Sequence, residues 1–202
     1  TWKDPFLQDQ SREETLERAQ GGRLTLENIA GSRWTAEYAV AVNRVDDEQS
    51  GASLVDLDAA ERGLLNRDAL LQRARVELRV PLGPGLFLKP GLYYTNADAN
   101  GAANSFDQTG LQLQAIRQRG AHFLTATLDY SQRRNDADNP VFGAAQKDDL
   151  ASLFLLYSHF DPFGWKNWSL LAVGYWQSND SNIGFYDEEG FGAGVGLGYR
   201  WR

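Results

Sequence analysis

The sequence contains no cysteine and no methionine, and only two histidines among its 202 residues. Disulfides, thiol catalysis and Cys-ligated zinc are therefore excluded, and no cofactor is implied. No stretch approaches the roughly 18 consecutive apolar residues of a membrane-spanning helix. Positive charge is also scarce: 20 Lys and Arg against 27 Asp and Glu leave a net charge of −7. Nucleic acid is excluded as a partner, because phosphate backbones are bound by clustered Lys and Arg. High net charge with modest apolar content borders on disorder, but 12 % aromatic residues and 20 glycines mark a folded chain. The length suits one domain with a sizeable core. A start at Thr1, with neither Met nor a signal peptide, is what a processed or trimmed product shows.

What the chain does have is alternation. In 33–45, Trp34, Ala36, Tyr38, Val40 and Val42 share one face, opposite Arg33 and Glu37. In 70–82, Val76, Leu78 and Val80 stand against Arg73, Arg75, Glu77 and Arg79. In 121–133, Leu124, Ala126, Leu128 and Tyr130 stand against Asp129 and Arg133. The last segment sets Phe191, Val195, Leu197, Tyr199 and Trp201 against Gly192, Gly194, Gly196 and Gly198. Side chains alternate across a strand, so each segment has an apolar and a polar face. Eight long strands are expected, at about 33–45, 67–82, 85–96, 106–118, 121–134, 148–160, 166–178 and 189–201. Segments 149–160 and 167–178 are apolar on both faces, which leaves their facing open. Short turns at 82–85, 119–120 and 161–164 alternate with longer loops rich in Asp, Asn, Ser and Gly. Ahead of them, Ser11 and Glu14 have capping-box spacing and Gly21 and Gly22 supply a stop, so a short helix is expected at 12–20. Residues 23–27 alternate as a strand or an inserted segment.

Eight up-and-down strands fit two architectures: a soluble barrel with its apolar face inward, or a transmembrane barrel with that face outward. Four features favour an all-β, antiparallel transmembrane β-barrel. The strands reach the 9–11 residues of a tilted span. Short turns at one end and long polar loops at the other match the periplasmic and extracellular rims. Aromatic residues gather near both ends: Phe160, Trp165, Trp168 and Trp201 toward the short turns, and Tyr94, Tyr130, Tyr175 and Trp176 toward the long loops. Arg73, Arg75, Glu77 and Arg79 could enter a dry core only at a high desolvation cost, whereas a wet or ion-paired lumen accepts them. On this basis residues 1–32 form a periplasmic or lumen-inserted segment and 33–202 the barrel domain. Eight strands return both chain ends to the periplasm. A ninth strand at about 23–29 would break that parity and point to a fragment or a shared barrel.

Three resemblances bear on the choice. Gly31-Ser32-Arg33-Trp34 is similar to the Gly-x-Trp signature that opens lipocalins, with one extra residue between Gly and Trp. The tail Gly196-Leu197-Gly198-Tyr199-Arg200-Trp201 resembles the C-terminal assembly signal of bacterial outer-membrane barrels, with Trp in place of Phe and a trailing Arg202. Gly196, Tyr199 and Trp201 are the positions that match it. Phe142-Gly143, Lys147-Asp148-Asp149 and the run from Asn179 to Asp187 resemble the closing hairpins of the surface lipoprotein assembly modifier barrel. That family's barrel is larger and follows a helical-repeat domain that this sequence does not contain. The resemblance therefore bears on the barrel and not on lipoprotein export.

Little else carries chemistry. Ser158 and His159 are adjacent in a strand, so they point to opposite faces and cannot share a proton. His122 and His159 both fall beside short turns, away from the outer leaflet where outer-membrane lipid A deacylases act. Asp46, Asp47, Glu48, Asp56, Asp58 and Glu61 crowd the first long loop without EF-hand spacing, as a solvated acidic loop does. The polar set Arg33, Glu37, Arg73, Arg75, Glu77, Arg79, Asp129 and Arg133 is expected to face one lumen, as a salt-bridged plug or a narrow passage. The function expected is a non-catalytic, porin-like outer-membrane component for structure, docking or passage. A lipid-modifying enzyme and a soluble lipocalin-like carrier are the alternatives. The partners implied are outer-membrane lipid and lipopolysaccharide, the barrel assembly machinery and a periplasmic or membrane protein.

Overall fold

A computed structural model describes residues 17–29, 33–45 and 57–201. It is a single antiparallel sheet of ten strands with one short helix. The strands are β1 (Glu17–Glu27), β2 (Trp34–Val45), β3 (Ala69–Leu78), β4 (Val80–Gly83), β5 (Leu86–Ala99), β6 (Phe106–Arg119), β7 (His122–Asn135), β8 (Lys147–Phe160), β9 (Trp168–Ser181) and β10 (Glu188–Tyr199). Each pairs with its neighbour in chain order, apart from β4, which pairs only with β5. β1 and β10 are the two edges, and no hydrogen-bonded pairing joins them among the described residues.

β3 and β4 lie along one edge of β5 and are separated only at Arg79. The break has a covalent cause. The pairing of β3 with β5 ends at Glu77 opposite Gly91 and that of β4 begins at Val80 opposite Leu88, so the gap faces Lys89 and Pro90. Proline has no N–H to give to a ladder and is tolerated where pairing lapses. The sheet thus has nine full-length rows. β6 and β7 are joined by a two-residue turn, with Arg119 opposite His122 and Gly120 at φ 58°. Glycine adopts that conformation without the steric penalty other residues pay.

Two expectations are corrected at the start of the chain. Residues 17–20, expected to end a helix, lie in β1, which pairs with β2 over its full length from Glu17–Val45 to Glu27–Thr35. An isolated short helix is marginal, and eleven backbone pairings along the β2 edge outweigh local propensity. The remainder of that expected helix, 12–16, lies outside the described residues. The sheet consequently begins ahead of residue 33, and the number of rows is nine rather than eight. The one α-helix among the described residues, α1 (Ala59–Leu64), sits in the loop between β2 and β3. Its capping box consumes two acidic loop residues: Asp58 Oδ1 accepts from Glu61 N, and Glu61 Oε2 accepts from Asp58 N, each at 2.8 Å.

The register sorts the whole sheet into two faces. The outer face carries Leu92, Leu111, Leu113, Leu128, Leu153, Leu155 and Val195. The other face carries Arg75, Tyr93, Gln112, Asp129, Ser131 and Asp148. The polar face is the more buried of the two. Leu92, Leu111 and Leu128 are 59 %, 55 % and 50 % exposed, while Tyr93, Ser131 and Asp148 are 8 %, 2 % and 3 % exposed. Contacts on the polar face also skip a strand: Tyr93 on β5 reaches Asp129 on β7, and Arg75 on β3 reaches Gln112 on β6. Side chains two rows apart meet only where a sheet curls toward them, given about 4.8 Å between rows.

Candidate functional site: a polar face with a cleft at the long-loop end

Seven of the eight residues expected to share a lumen stand on the polar face. They are Glu37, Arg73, Arg75, Glu77 and Arg79 around β2 and β3, and Asp129 and Arg133 on β7. The eighth, Arg33, is exposed beside the first short connection, where its carbonyl accepts from Arg79 N at 2.9 Å. The seven do not form one cluster. The first group runs across β3, β5, β6 and β7. Arg75 pairs with Glu77 at 2.9 Å and donates to the Gln112 side chain, Gln112 Nε2 donates to Asp129 Oδ2 at 3.2 Å, and Lys89 lies 3.7 Å from Glu77. Tyr93 hydroxyl donates to Asp129 Oδ1 at 2.8 Å, and the Arg73 guanidinium covers the Tyr93 ring at 4.4 Å. Carboxylates, amides and a phenol thereby share charge through hydrogen bonds in a shielded setting, where such bonds reinforce one another. Glu37 lies apart, 3.8 Å from Arg23 on β1.

The second group is at the long-loop end. Arg133 forms an ion pair with the fully buried side chain of Asp148, which also accepts from Gln146 Nε2 at 2.8 Å. All of these donors fall on Oδ2, while Oδ1 is buried without a hydrogen bond. Arg133 also covers the Phe106 ring at 5.4 Å, and Arg79 covers Phe87 at 4.1 Å. Each guanidinium on this face that is stacked thus uses an aromatic ring as part of its shield.

Between the second group and the β9–β10 loop lies a cleft of about 650 Å³, walled by Gln108, Asp129, Ser131, Arg133, Gln177 and Asn179 among others. Phe185, Tyr186 and Asp187 line it from the loop. That loop is clasped to its neighbour: Asn182 Oδ1 accepts from Lys147 N at 2.6 Å, its Nδ2 donates to Ala145 O at 2.9 Å, and Phe142 packs on Phe185 and Tyr186 at 5.4 Å each. Burial pushes the Tyr186 phenol above its ordinary range. Arg133 pulls it down and Asp148 pushes it up. The residues that carry the resemblance to the closing hairpins therefore form the clasp and one rim of this cleft.

Several residues of the cleft and its surroundings were not singled out from sequence. Tyr93, Gln112 and Gln177 are polar or amphipathic groups at period two, and the alternation of Gln108, Gln112 and Gln114 was the available signal, while Asp148 and Asn179 entered only through the resemblance to the closing hairpins. Two aromatic assignments are corrected. Tyr175 pairs with Gly192 and Phe160 with Ser169, so both lie on the polar face and not on the outer rims. Tyr175 fills the space over Gly192. Of the other rim residues, Tyr94, Tyr130 and Trp176 at one end and Trp168 at the other lie on the outer face, where Tyr199 joins Trp168; Trp165 and Trp201 lie outside the strand pairings. Gly196 is on the polar face, and Tyr199 packs between Trp168 at 5.2 Å and Trp201 at 4.8 Å.

Ser158 and His159 stand on opposite faces. His159 is instead cross-strand to His122, the two rings stacked at 4.2 Å, and His122 Nδ1 is 2.8 Å from the Tyr157 hydroxyl. Among the described residues no group of three or more His, Asp or Glu is placed to hold a metal ion.

A family model described as "Protein of unknown function (DUF2860)" matches residues 1–200. No curated protein and no solved structure gives a match.

Proposed function

The chain belongs to the DUF2860 family, and for it we propose an outer-membrane β-barrel without a catalytic role, serving as a structural, docking or narrow passage component. The observation that carries this is the inversion of burial between the two faces. In water, rows of half-exposed leucine on one side and shielded ion pairs on the other would invert the usual partition of apolar and polar groups. In a bilayer, the leucine rows meet hydrocarbon and the polar face becomes a lumen. Strands of 10–14 residues supply the span. On β9, Trp168 and Trp176 bracket the apolar stretch about 26 Å apart along the strand, at about 3.3 Å per residue. At a tilt of about 40° this projects to about 20 Å along the membrane normal, most of the roughly 25 Å apolar band between two interfacial girdles. The short turns then lie in the periplasm, and the acidic loops face lipopolysaccharide and its bridging divalent cations. The tail with Gly196, Tyr199 and Trp201 is the segment offered to the assembly machinery.

A lipocalin-like carrier would require the reverse facing. Val76 and Leu128 would then be core residues, yet both are exposed on the outer face. The experiment is heat-modifiability of protein from the outer-membrane fraction. A closed barrel keeps its shape in SDS until boiled, so unheated and boiled samples are expected to migrate differently. Identical mobility, with the protein in the soluble fraction, would sink the membrane reading.

A further inference from the structure

We propose that the cleft at the long-loop end of the polar face is a binding site for a neutral, hydroxyl-rich ligand of the saccharide class. Its placement at an outward mouth rests on the barrel reading above. Its chemistry rests on the wall.

Two neighbouring ranks of side chains form the floor. One runs Tyr93, Gly110, Ser131, Leu150, Asn179 and Glu188 across six strands. The next runs Gln112, Asp129, Ser152, Gln177 and Gly190. Gly190 leaves the second rank low at its β10 end, whereas the space over Gly110 in the first is taken by the Tyr93 ring. The volume, about 650 Å³, is in the usual range of small-molecule sites.

The polar groups are preset by neutral donors. Asp129 is held by Tyr93 and Gln112, Glu188 by Gln177 Nε2 at 2.9 Å, and Asp187 by Ser181 N at 2.8 Å. Gln108 Nε2 donates to Ser131 Oγ at 2.8 Å. An ionised carboxylate offers about four acceptor sites, so these bonds leave several open. One acceptor on the wall lacks any partner. Asn179 Nδ2 donates to Tyr186 O at 2.7 Å, while its Oδ1 is buried without a hydrogen bond. An unmet buried acceptor is costly, and a ligand donor reaching it would remove that cost.

Charge narrows the ligand further. Arg133 is committed to Asp148, whereas Asp129, Asp187 and Glu188 put three carboxylates on the wall. Anions are repelled there. An ammonium group only donates, and would leave the second amide hydrogens of Gln108 and Gln177 without use. A hydroxyl both donates and accepts, and so matches a wall of mixed carboxylates, amides and hydroxyls. A sugar ring carries several hydroxyls at fixed spacing and an apolar face, for which Phe185 and Tyr186 supply aromatic surface at the rim.

The test is titration calorimetry on detergent-refolded, heat-modifiable protein. The probes are maltotriose, cellotriose, lactose and N,N′-diacetylchitobiose, with spermidine and inorganic phosphate for comparison. At least one sugar is expected to bind, and Asn179→Leu and Ser152→Trp are each expected to weaken it tenfold or more while keeping the heat shift. Phe185→Ala, on an exposed loop, serves should a strand variant fail to fold, and a severalfold loss is expected from it. Silence of all four sugars with a heat-modifiable protein overturns the proposal and spares the barrel. So does equal binding by the folded variants. Binding of spermidine or phosphate alone overturns it in favour of a charged ligand. Loss of the heat shift in the wild-type chain sinks the barrel reading itself, and with it a site at an outward mouth.

Discussion

The Tyr93 hydroxyl reaches Asp129 Oδ1 at 2.8 Å by lying across Gly110, so β5 is tied to β7 over the bare backbone of β6. A side chain at Gly110 would occupy the place of the phenol ring. Gly110→Val is therefore expected to destabilise the fold by about 1–3 kcal/mol, the usual cost of overpacking. Urea unfolding in lipid vesicles measures this. In a Tyr93→Ala background the same substitution is expected to cost much less, and equal costs in both backgrounds would refute the coupling.

Arg133 and Asp148 form the most deeply placed ion pair of the polar face. Replacing Arg133 by Met strands a buried carboxylate, with an expected loss of about 3–5 kcal/mol. The double variant Arg133→Met with Asp148→Leu removes both charges and is expected to recover most of that loss. A double-mutant cycle in the same urea assay checks it. Purely additive losses would mean that the pair contributes no mutual interaction.

Leu113 and Leu128 face each other on the outer side of β6 and β7. Leu128→Arg is expected to cost about 2–4 kcal/mol of folding stability in vesicles, as a cation near the bilayer midplane does. Thr127→Arg, one residue away and on the polar face, is expected to cost less. Folding yield by SDS mobility compares the two. Equal yields would argue that the outer face does not meet lipid.

Tyr186 gives the mouth an alkaline limit. Its phenol is raised above the ordinary value of about 10 by burial, and Asp148 adds to the rise while Arg133 opposes it. The neutral form is thus the one the folded loop favours. The unfolded chain ionises first, so this contribution is complete below about pH 10 and declines as pH rises toward the folded value. Limited proteolysis of the β9–β10 loop is expected to accelerate in that window for the wild type. Tyr186→Phe is expected to flatten the dependence, and an unchanged profile in that variant would assign it to another group.

The facing of most strands was legible because alternation is unbroken at Arg73, Arg75, Glu77 and at Leu124, Leu128, Tyr130. The register keeps each set together. The facing of β8 and β9 was not, because Leu150, Phe154 and Leu156 put apolar side chains on the polar face beside Ser152. Neighbouring strands settle that ambiguity, and a single segment cannot. β1 was half legible: 23–27 alternates, but Gly21, Gly22 and a helical capping pattern upstream masked a strand that depends on β2 for its pairing. The candidate site was read as a set of charges, whereas the cleft wall sets amides, hydroxyls and phenols among its carboxylates. Sequence marks arginine and glutamate loudly, whereas Gln112 gains its meaning only from Asp129 on the next strand and Arg75 two rows away, and Asn179 from the Tyr186 carbonyl in the loop.

The two edges of the sheet point the same way. β1 and β10 each begin at the long-loop end and finish near the short turns. Direct mating of those edges would be parallel, the less stable pairing per residue. Closure by antiparallel ladders alone needs an odd number of further strands between them, which raises the total to an even ten or more, as single-chain bacterial barrels have. Circumference grows with strand number, and beyond eight the interior outgrows what its own side chains can fill. A ring completed in that way would hold standing water along the Arg75–Asp129 network, and its ion pairs would sense the ionic strength of the medium.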